Sequence, residues 1–392
     1  MISVEDALAR VLTLAPHAKG EQVALDQAWD RVLLQPAVSR MTQPPFDASA
    51  MDGYAVRSAD AGRSLKVIGE SAAGHPFNGT AIPGTAVRIF TGAPVPPGYD
   101  RVVMQENVTR HGDRITIDRP SAGDNIRRAG DDFSKGSTIP PGRRLRAPDI
   151  ALLAAMNLPF VTVAQRPTVA ILAGGDELVP PGTDPGLGQI ISSNDLAIAG
   201  LVRQAGGQPM ILPLARDDEE SLRAGFTAAR QADLLVTIGG VSVGDHDLIG
   251  KVAGDLGLER AFYKVAMRPG KPLMAGKLSG VAMLGLPGNP VSAMVCAILF
   301  MQPLITAMLG GIPEIKVLKA RLAADLPAEG PRQHYLRATL AEGPDLSLIR
   351  PFGNQDSARL SLMAQADALL VRAAHEPARR AGDIVRFIPL RC

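Results

Sequence analysis

The sequence predicts a multidomain α/β protein: a central three-layer α/β domain, a β-rich inserted domain and a small, β-barrel-like C-terminal domain. Three observations predict it. At 392 residues the chain is longer than a single hydrophobic core usually supports. From about Pro167 to Ile312, strand-like apolar runs alternate with helical patterns, as in a parallel sheet covered by helices. On either side of that stretch, short apolar runs are broken by Gly, Pro, Asn and Asp, the texture of strands joined by turns.

Composition agrees with a folded chain, since 46% hydrophobic and 20% charged residues lie far from the disordered regime. In chain order, Ser3 followed by Asp6 resembles a capping box, and Val4, Ala7, Leu8, Val11 and Leu12 recur at helical spacing. A second helix is expected over residues 26–34, with Trp29 filling a domain contact. LKVIGE, AVRIF, RVVMQE and RITIDR then read as strands of the insertion. TVAILAGG, QPMILPLAR and DLLVTIGG supply strands of the central sheet, with helices from Asn194, from Asp218 and after Pro290. KVLKARL, HYLRATL, ALLVRAA and DIVRFIPL return to β structure. The expected division is 1–35 with 147–166 as N-terminal helical and linker elements, 36–146 as the insertion, 167–312 as the α/β domain and 313–392 as the C-terminal domain.

Several classes lose support at once. A net charge of +2 gives no electrostatic reason for a nucleic-acid partner. The two cysteines, Cys296 and Cys392, support neither a disulfide framework nor a cysteine zinc site. MISVEDALAR lacks the basic and apolar regions of a signal peptide. The apolar run at 291–309, interrupted by Gln302 and Pro303, falls short of a convincing membrane span. A cytoplasmic enzyme acting on small molecules, without membrane or nucleic acid, is the expectation. The six histidines form no HExxH pattern, and neither a GxSxG elbow nor a Walker A string occurs.

Chemistry concentrates in glycine-rich turns. In GGVSVGDHD, at 239–247, a buried-type strand ends in three glycines and two acids, Asp245 and Asp247. Glycines let main-chain N–H groups approach an anion, and the carboxylates suit a hard divalent cation such as magnesium. A solvated strand-to-helix turn explains the same string equally well. LAGGDELV provides a second acidic strand end at Asp176 and Glu177, and the two ends should converge on one edge of the sheet. Asp217 and Asp218 read first as a helix cap. RPGKP sets Arg268 and Lys271 on a stiff turn suited to a tetrahedral oxyanion, and GLPGNPVSA brings Ser292 into the first turn of a helix. MDGYAV, IFTGAPVPPG and NIRRAGDD read, on composition, as hairpin connections.

As an ordered set, MDGYAV, IFTGAPVP with VVMQE, NIRRAGDD, GDEL, GGVSVGDHD, MRPGKP and GLPGNPVS resemble the molybdopterin molybdenumtransferase family, the MoeA and gephyrin E-domain enzymes. The resemblance covers nearly the whole chain. It implies an elongated subunit of four parts with a molybdopterin-binding α/β domain, usually a homodimer whose active site is completed by the partner subunit. It further implies adenylyl-molybdopterin and molybdate as substrates, release of AMP, a requirement for Mg2+, and transient contact with other proteins of molybdenum cofactor biosynthesis.

Residue by residue, the resemblance assigns catalytic positions to Asp52, Glu177 and Asp247, and metal positions to Glu177, Asp245 and Asp247. Thr91, Asp217, Gly239, Gly240, Ser242 and Gly244 take the organic substrate. Arg268, Lys271, Pro272, Ser292, Arg337 and Ser357 take molybdate. Arg268 stands where lysine is common, Gly174 where threonine often precedes GDEL, and Ser192 where an acid is frequent. Two other readings remain at this stage: a binding scaffold of the same fold without the chemistry, and a related α/β molybdopterin adenylyltransferase. The second predicts a compact chain without the insertion.

Overall fold

The computed structural model describes residues 1–119, 123–239 and 248–391. Its centre is a six-stranded sheet in the order Gln208–Ile211, Thr168–Ala173, Leu234–Ile238, Val281–Leu286, Met274–Leu278, Leu258–Tyr263. The first four strands are mutually parallel. Met274–Leu278 runs antiparallel to both neighbours, so the sheet is mixed and not wholly parallel as expected. The cause is local: Ser279 and Gly280, at φ 50° and 85°, make a two-residue hairpin turn instead of a helical crossover.

Alternation sorts the sheet into two faces. Val169, Ile171, Leu234 and Val236 join the core under the helices Asn194–Ala205 and Pro290–Cys296, while Ala170, Leu172 and Leu235 pack under Glu219–Ala228 and Leu248–Asp255. Three layers result. Every residue of Leu234–Ile238 is buried, as a strand covered on both faces requires. From Pro290 to Met308 the chain is helical and apolar enough to cross a membrane by length and composition, but 72% of its most apolar window is buried in this protein's own core. A π turn over Ala297–Met301 interrupts it just before Pro303, which has no N–H for the ladder.

The opening helix, Val4–Leu12, is capped by Ser3, whose hydroxyl accepts the Asp6 N–H at 3.0 Å. Its buried residues Val4, Ala7 and Val11 join the α/β core. The second expected helix does not form. Only a 3-10 turn exists over Leu25–Gln27; Asp30 then sits at φ 62°, and Val32 and Leu33 bridge to Arg144 and Val163. Arg31 accounts for the extended path, since its buried guanidinium donates to the Ala164 carbonyl at 2.8 Å and pairs with Glu21. Trp29 is 62% exposed, so most of its side chain is left uncovered. Gly20–Ala24 pairs with Phe160–Ala164 over a separate core that includes Val23, Leu33, Leu153 and Val161.

Two short ladders, Ala37–Val38 with Thr138–Ile139 and Ala48–Ser49 with Ile126–Arg127, carry the chain out to the β-rich insertion and back. The insertion is a six-stranded sheet with an apolar cluster on each face. At the other end, Gln333–Ala341, Leu348–Pro351, Leu318–Leu322, Ile384–Pro389 and Ala368–Arg372 pair in turn, and the last closes onto the first. This closed barrel matches the β-barrel-like domain expected. Met267–Arg268 pairs in parallel with Gln333–His334, fastening the barrel to the α/β domain beside the RPGKP turn.

Candidate active site

The parallel strands Thr168–Ala173 and Leu234–Ile238 end at a cleft of about 980 Å³, where an open α/β sheet is expected to bind ligands. Glu177, Asp217 and Gly239 all line it, so the strand end that carries Glu177 and the start of the GGVSVGDHD turn meet at one cleft. Gly239 is obligatory: it adopts φ +88°, and a Cβ there would lie 2.8 Å from the Gly174 carbonyl oxygen. Gly175 makes room for Glu177, because a Cβ at that position would fall 2.3 Å from its carboxylate. Asp217 and Asp176 lock one another: each backbone N–H donates to the other's carboxylate, at 3.2 and 3.4 Å. Asp218, not Asp217, caps the following helix by accepting the Ser221 N–H. Gly240, Ser242, Gly244, Asp245 and Asp247 lie outside the described residues, as does His246.

Two of the departures have structural uses. Ser192 lines the cleft and donates from Oγ to Asp195 Oδ1 at 3.0 Å, in the first turn of the helix Asn194–Ala205. Gly174 bonds through its N–H to the Ile238 carbonyl and lines the cleft with backbone alone. Asn194 Nδ2 donates to the Gly288 carbonyl at 2.7 Å, tying this helix to the GNP turn.

Beyond Pro272, which borders both, a second cavity of about 310 Å³ opens. Arg268, Lys271, Ser292 and Ser357 line it together. Its turn is held from below: Gly270, at φ +106°, sits where a Cβ would approach the buried Cys296 Sγ to 2.5 Å. The Arg268–Pro269 peptide is cis. Asn289 Nδ2 donates to Ser357 Oγ at 3.1 Å, and Val291 N–H donates to the Ser357 carbonyl, so the tail loop is fixed against the GNP turn.

Arg337 is not in the wall of this cavity. It is 1% exposed. Its Nε donates to Gln355 Oε1 at 3.2 Å and its Nη1 to the Arg359 carbonyl at 3.2 Å, so it braces the loop that carries Ser357. Sequence reasoning missed Arg332, which lines the cavity, and Gln355, which binds Arg337 through both ends of its amide. No sequence signal marked Arg332, whose place follows from the pairing of Gln333–His334 with Met267–Arg268.

Asp52 and Thr91 meet each other but line neither cavity of their own chain. Thr91 donates from N–H and from Oγ1 to Asp52 Oδ1, both at 2.7 Å, and these bonds hold the Asp52 carboxyl below the usual carboxylate value. Arg88 stacks over Phe90 and Tyr54 nearby and bonds the Gly53 carbonyl. Among the described residues no group of three or more His, Cys, Asp or Glu is placed to hold a metal. Glu177 and Asp217 do offer two hard oxygen donors in one cleft, which fits magnesium when phosphate oxygens and water complete its shell.

Fold and site together define a multidomain α/β protein with an acidic strand-end cleft joined to a cationic cavity. Family models match along its length: "MoeA N-terminal region (domain I and II)" over residues 2–157, "Probable molybdopterin binding domain" over 170–307 and "MoeA C-terminal region (domain IV)" over 319–390. The chain is 36% identical to a molybdopterin molybdenumtransferase of Nostoc, over all of this chain and 94% of that protein. It is 39% identical to one from Haemophilus influenzae over 79% of this chain and 78% of that protein. A crystal structure of the molybdopterin biosynthesis moea protein from Pyrococcus horikoshii is 30% identical, covers both chains fully and superposes with a TM-score of 0.84. The chain belongs to the molybdopterin molybdenumtransferase family.

Proposed function

We propose that this enzyme inserts molybdenum into molybdopterin, taking adenylyl-molybdopterin and molybdate and releasing AMP. The observation that carries the reading is the pair of adjoining cavities: one has carboxylates at strand ends, the other Arg268, Lys271 and two serines, and Pro272 borders both. A substrate with a phosphoanhydride and a separate tetrahedral oxyanion needs two such neighbouring sites.

In this reading the organic substrate lies in the larger cleft with its pyrophosphate over Gly239 and the acidic strand ends. Glu177 and Asp217, with Asp245 and Asp247 from the turn outside the described residues, would hold magnesium. When bound, the cation neutralises phosphate oxygens and eases departure of AMP. Glu177 and Asp247 orient the oxygen that attacks the anhydride. Arg268 and Lys271 hold molybdate by charge, and Ser292 and Ser357 fix its orientation by donating hydroxyl hydrogens.

Because Asp52 and Thr91 face neither cavity of their own chain, they serve a cleft on a second copy, and the working unit is a homodimer. The division into 1–35 with 147–166, 36–146, 167–312 and 313–392 belongs to the same proposal, as do a cytoplasmic location and transient transfer of product to other cofactor-synthesis proteins. Glu177→Gln should cut AMP release from adenylyl-molybdopterin by about 100-fold, within the range for loss of a group acting on the transition state. Lys271→Ala should raise the molybdate requirement more than that for the organic substrate. Unchanged turnover in the first, or equal effects on both substrates in the second, counts against these roles.

A further inference from the structure

We infer that Arg88 and Gln105 are positioning residues for Asp52: the Arg88 guanidinium bridges three strand ends of the insertion and so aims the Asp52 carboxylate at the cleft of the second copy. The inference rests on the catalytic role proposed for Asp52 and adds to it the residues that hold this side chain in place.

Asp52 immediately precedes the strand Gly53–Val56, which lies between Thr85–Ile89 and Arg101–Met104 and runs antiparallel to both. Tyr54 faces Arg88 across one pairing and Val103 across the other. Gly53 permits the close approach: a Cβ there would fall 1.9 Å from the Val103 carbonyl oxygen. Asp52 itself is exposed, so packing does not fix it. Bonds do. Its Oδ1 accepts from the Thr91 N–H and hydroxyl, and its carbonyl accepts the Gln105 N–H at 3.1 Å.

Arg88 ties these anchors to one another. Its Nη1 donates to the Gly53 carbonyl at 2.9 Å and its Nη2 to Gln105 Oε1 at 2.6 Å. The guanidinium carbon lies 5.1 Å from the centroid of the Tyr54 ring and 4.7 Å from that of Phe90, the residue before Thr91. One planar group therefore meets the residue after Asp52, the residue before Thr91 and the residue whose N–H holds the Asp52 carbonyl. Lysine would keep the charge, but an ammonium on a flexible stem cannot stack and fork at once. The Thr91 bonds are the main hold on the Asp52 carboxyl below its ordinary value, and the Arg88 charge acts in the same direction. Gln105 is exposed, and the one further bond of its side chain runs from Nε2 to Glu106 Oε1 at 3.2 Å. No apolar core depends on it. The VVMQE string, which the proposed chemistry leaves without a task, gains one through this residue.

Molybdate-dependent AMP release by the full-length protein, measured over a range of adenylyl-molybdopterin and molybdate concentrations, separates positioning from binding, and urea unfolding separates it from folding. Arg88→Lys should lower kcat by about 10- to 100-fold, the scale for a displaced catalytic group. Gln105→Ala, at an exposed position, should lower kcat by about 10-fold, with KM for either substrate within about threefold of the parent and an unchanged urea midpoint. Because both residues act through one bridge, the double variant should be no slower than Arg88→Lys alone. Losses that multiply in the double variant, a loss carried by KM, or Gln105→Ala within about twofold of the parental kcat would each overturn the inference. An impaired Asp52→Asn beside parental Arg88→Lys and Gln105→Ala removes the positioning roles and leaves the proposed function standing. Parental turnover by Asp52→Asn overturns the role of Asp52 and this inference with it.

Discussion

Gly270 offers a sharp perturbation because its environment is defined on both sides. Replacing it with alanine would place a Cβ 2.5 Å from Cys296 Sγ, 3.0 Å from Met267 Cε and 3.4 Å from Met267 Sδ. Carbon contacts are comfortable at about 3.5–4.0 Å, so the turn or the helix beneath it must move. Overpacking of this kind costs about 1–3 kcal/mol. The backbone adds its own penalty, since φ of +106° is rarely adopted by a residue with a Cβ, at about 1–3 kcal/mol. Together Gly270→Ala should lose about 2–6 kcal/mol, a large share of a typical domain's stability. Movement of the turn carries Arg268 and Lys271 with it, so molybdate affinity should fall by about tenfold or more. Urea unfolding and molybdate titration of Gly270→Ala, Cys296→Ala and the double variant separate the two causes. Removing Sγ relieves the clash and leaves the φ penalty, so the double variant should be more stable than additivity predicts by about 1–2 kcal/mol. A Gly270→Ala protein within about 1 kcal/mol of the parent, with unchanged molybdate affinity, would refute the reasoning.

Other consequences are open to measurement. Arg337→Ala removes the brace of the loop carrying Ser357 and should cost about 2–4 kcal/mol in denaturant titrations, whereas Arg332→Gln should cost little; the reverse order contradicts the placement of the two arginines. At a molybdate concentration too low to support turnover by Lys271→Ala, Asp52→Asn and Lys271→Ala should each be nearly inactive alone, yet a reassembled mixture should recover about a quarter of parental AMP release if the site is completed across a homodimer. No recovery after verified subunit exchange would place Asp52 in its own chain's reaction. Burial holds the His334 imidazole below its ordinary 6.5, with Arg268 and Arg332 acting in the same sense and Glu329 opposing them. Below pH 6.5 the unfolded chain takes up a proton that the folded chain resists, so this contribution is intact above 6.5 and is lost as pH falls toward the depressed folded value. His334→Gln should therefore flatten the stability curve below 6.5, and an unchanged slope would assign that pH dependence elsewhere.

The legible parts of the fold were those set by local pattern. Thr168–Ala173 and Leu234–Ile238 are continuous apolar runs ending in glycines, and Ser3 and Asp218 sit at helix starts where their side chains cap. Tertiary partners decided the rest. Residues 26–34 carry helical spacing, but Arg31 finds Glu21 and the Ala164 carbonyl only in an extended path. The reversed strand Met274–Leu278 depends on one two-residue turn inside an otherwise alternating pattern. At the site, Glu177, Asp217, Gly239, Arg268, Lys271, Ser292 and Ser357 were legible as motif residues and share the two adjoining cavities. The exchange of places between Arg332 and Arg337 was not, because strand parity and barrel closure decide which guanidinium faces the cavity.

The two-cavity account is tested most directly by incubating the purified protein with adenylyl-molybdopterin and magnesium, with and without molybdate, and quantifying AMP and metal-bound cofactor together. The account predicts that molybdate brings about release of AMP with matching formation of molybdenum cofactor, and that Lys271→Ala shifts this dependence to higher molybdate. A protein that binds adenylyl-molybdopterin yet forms neither product at any molybdate concentration would contradict it and leave a binding scaffold in its place.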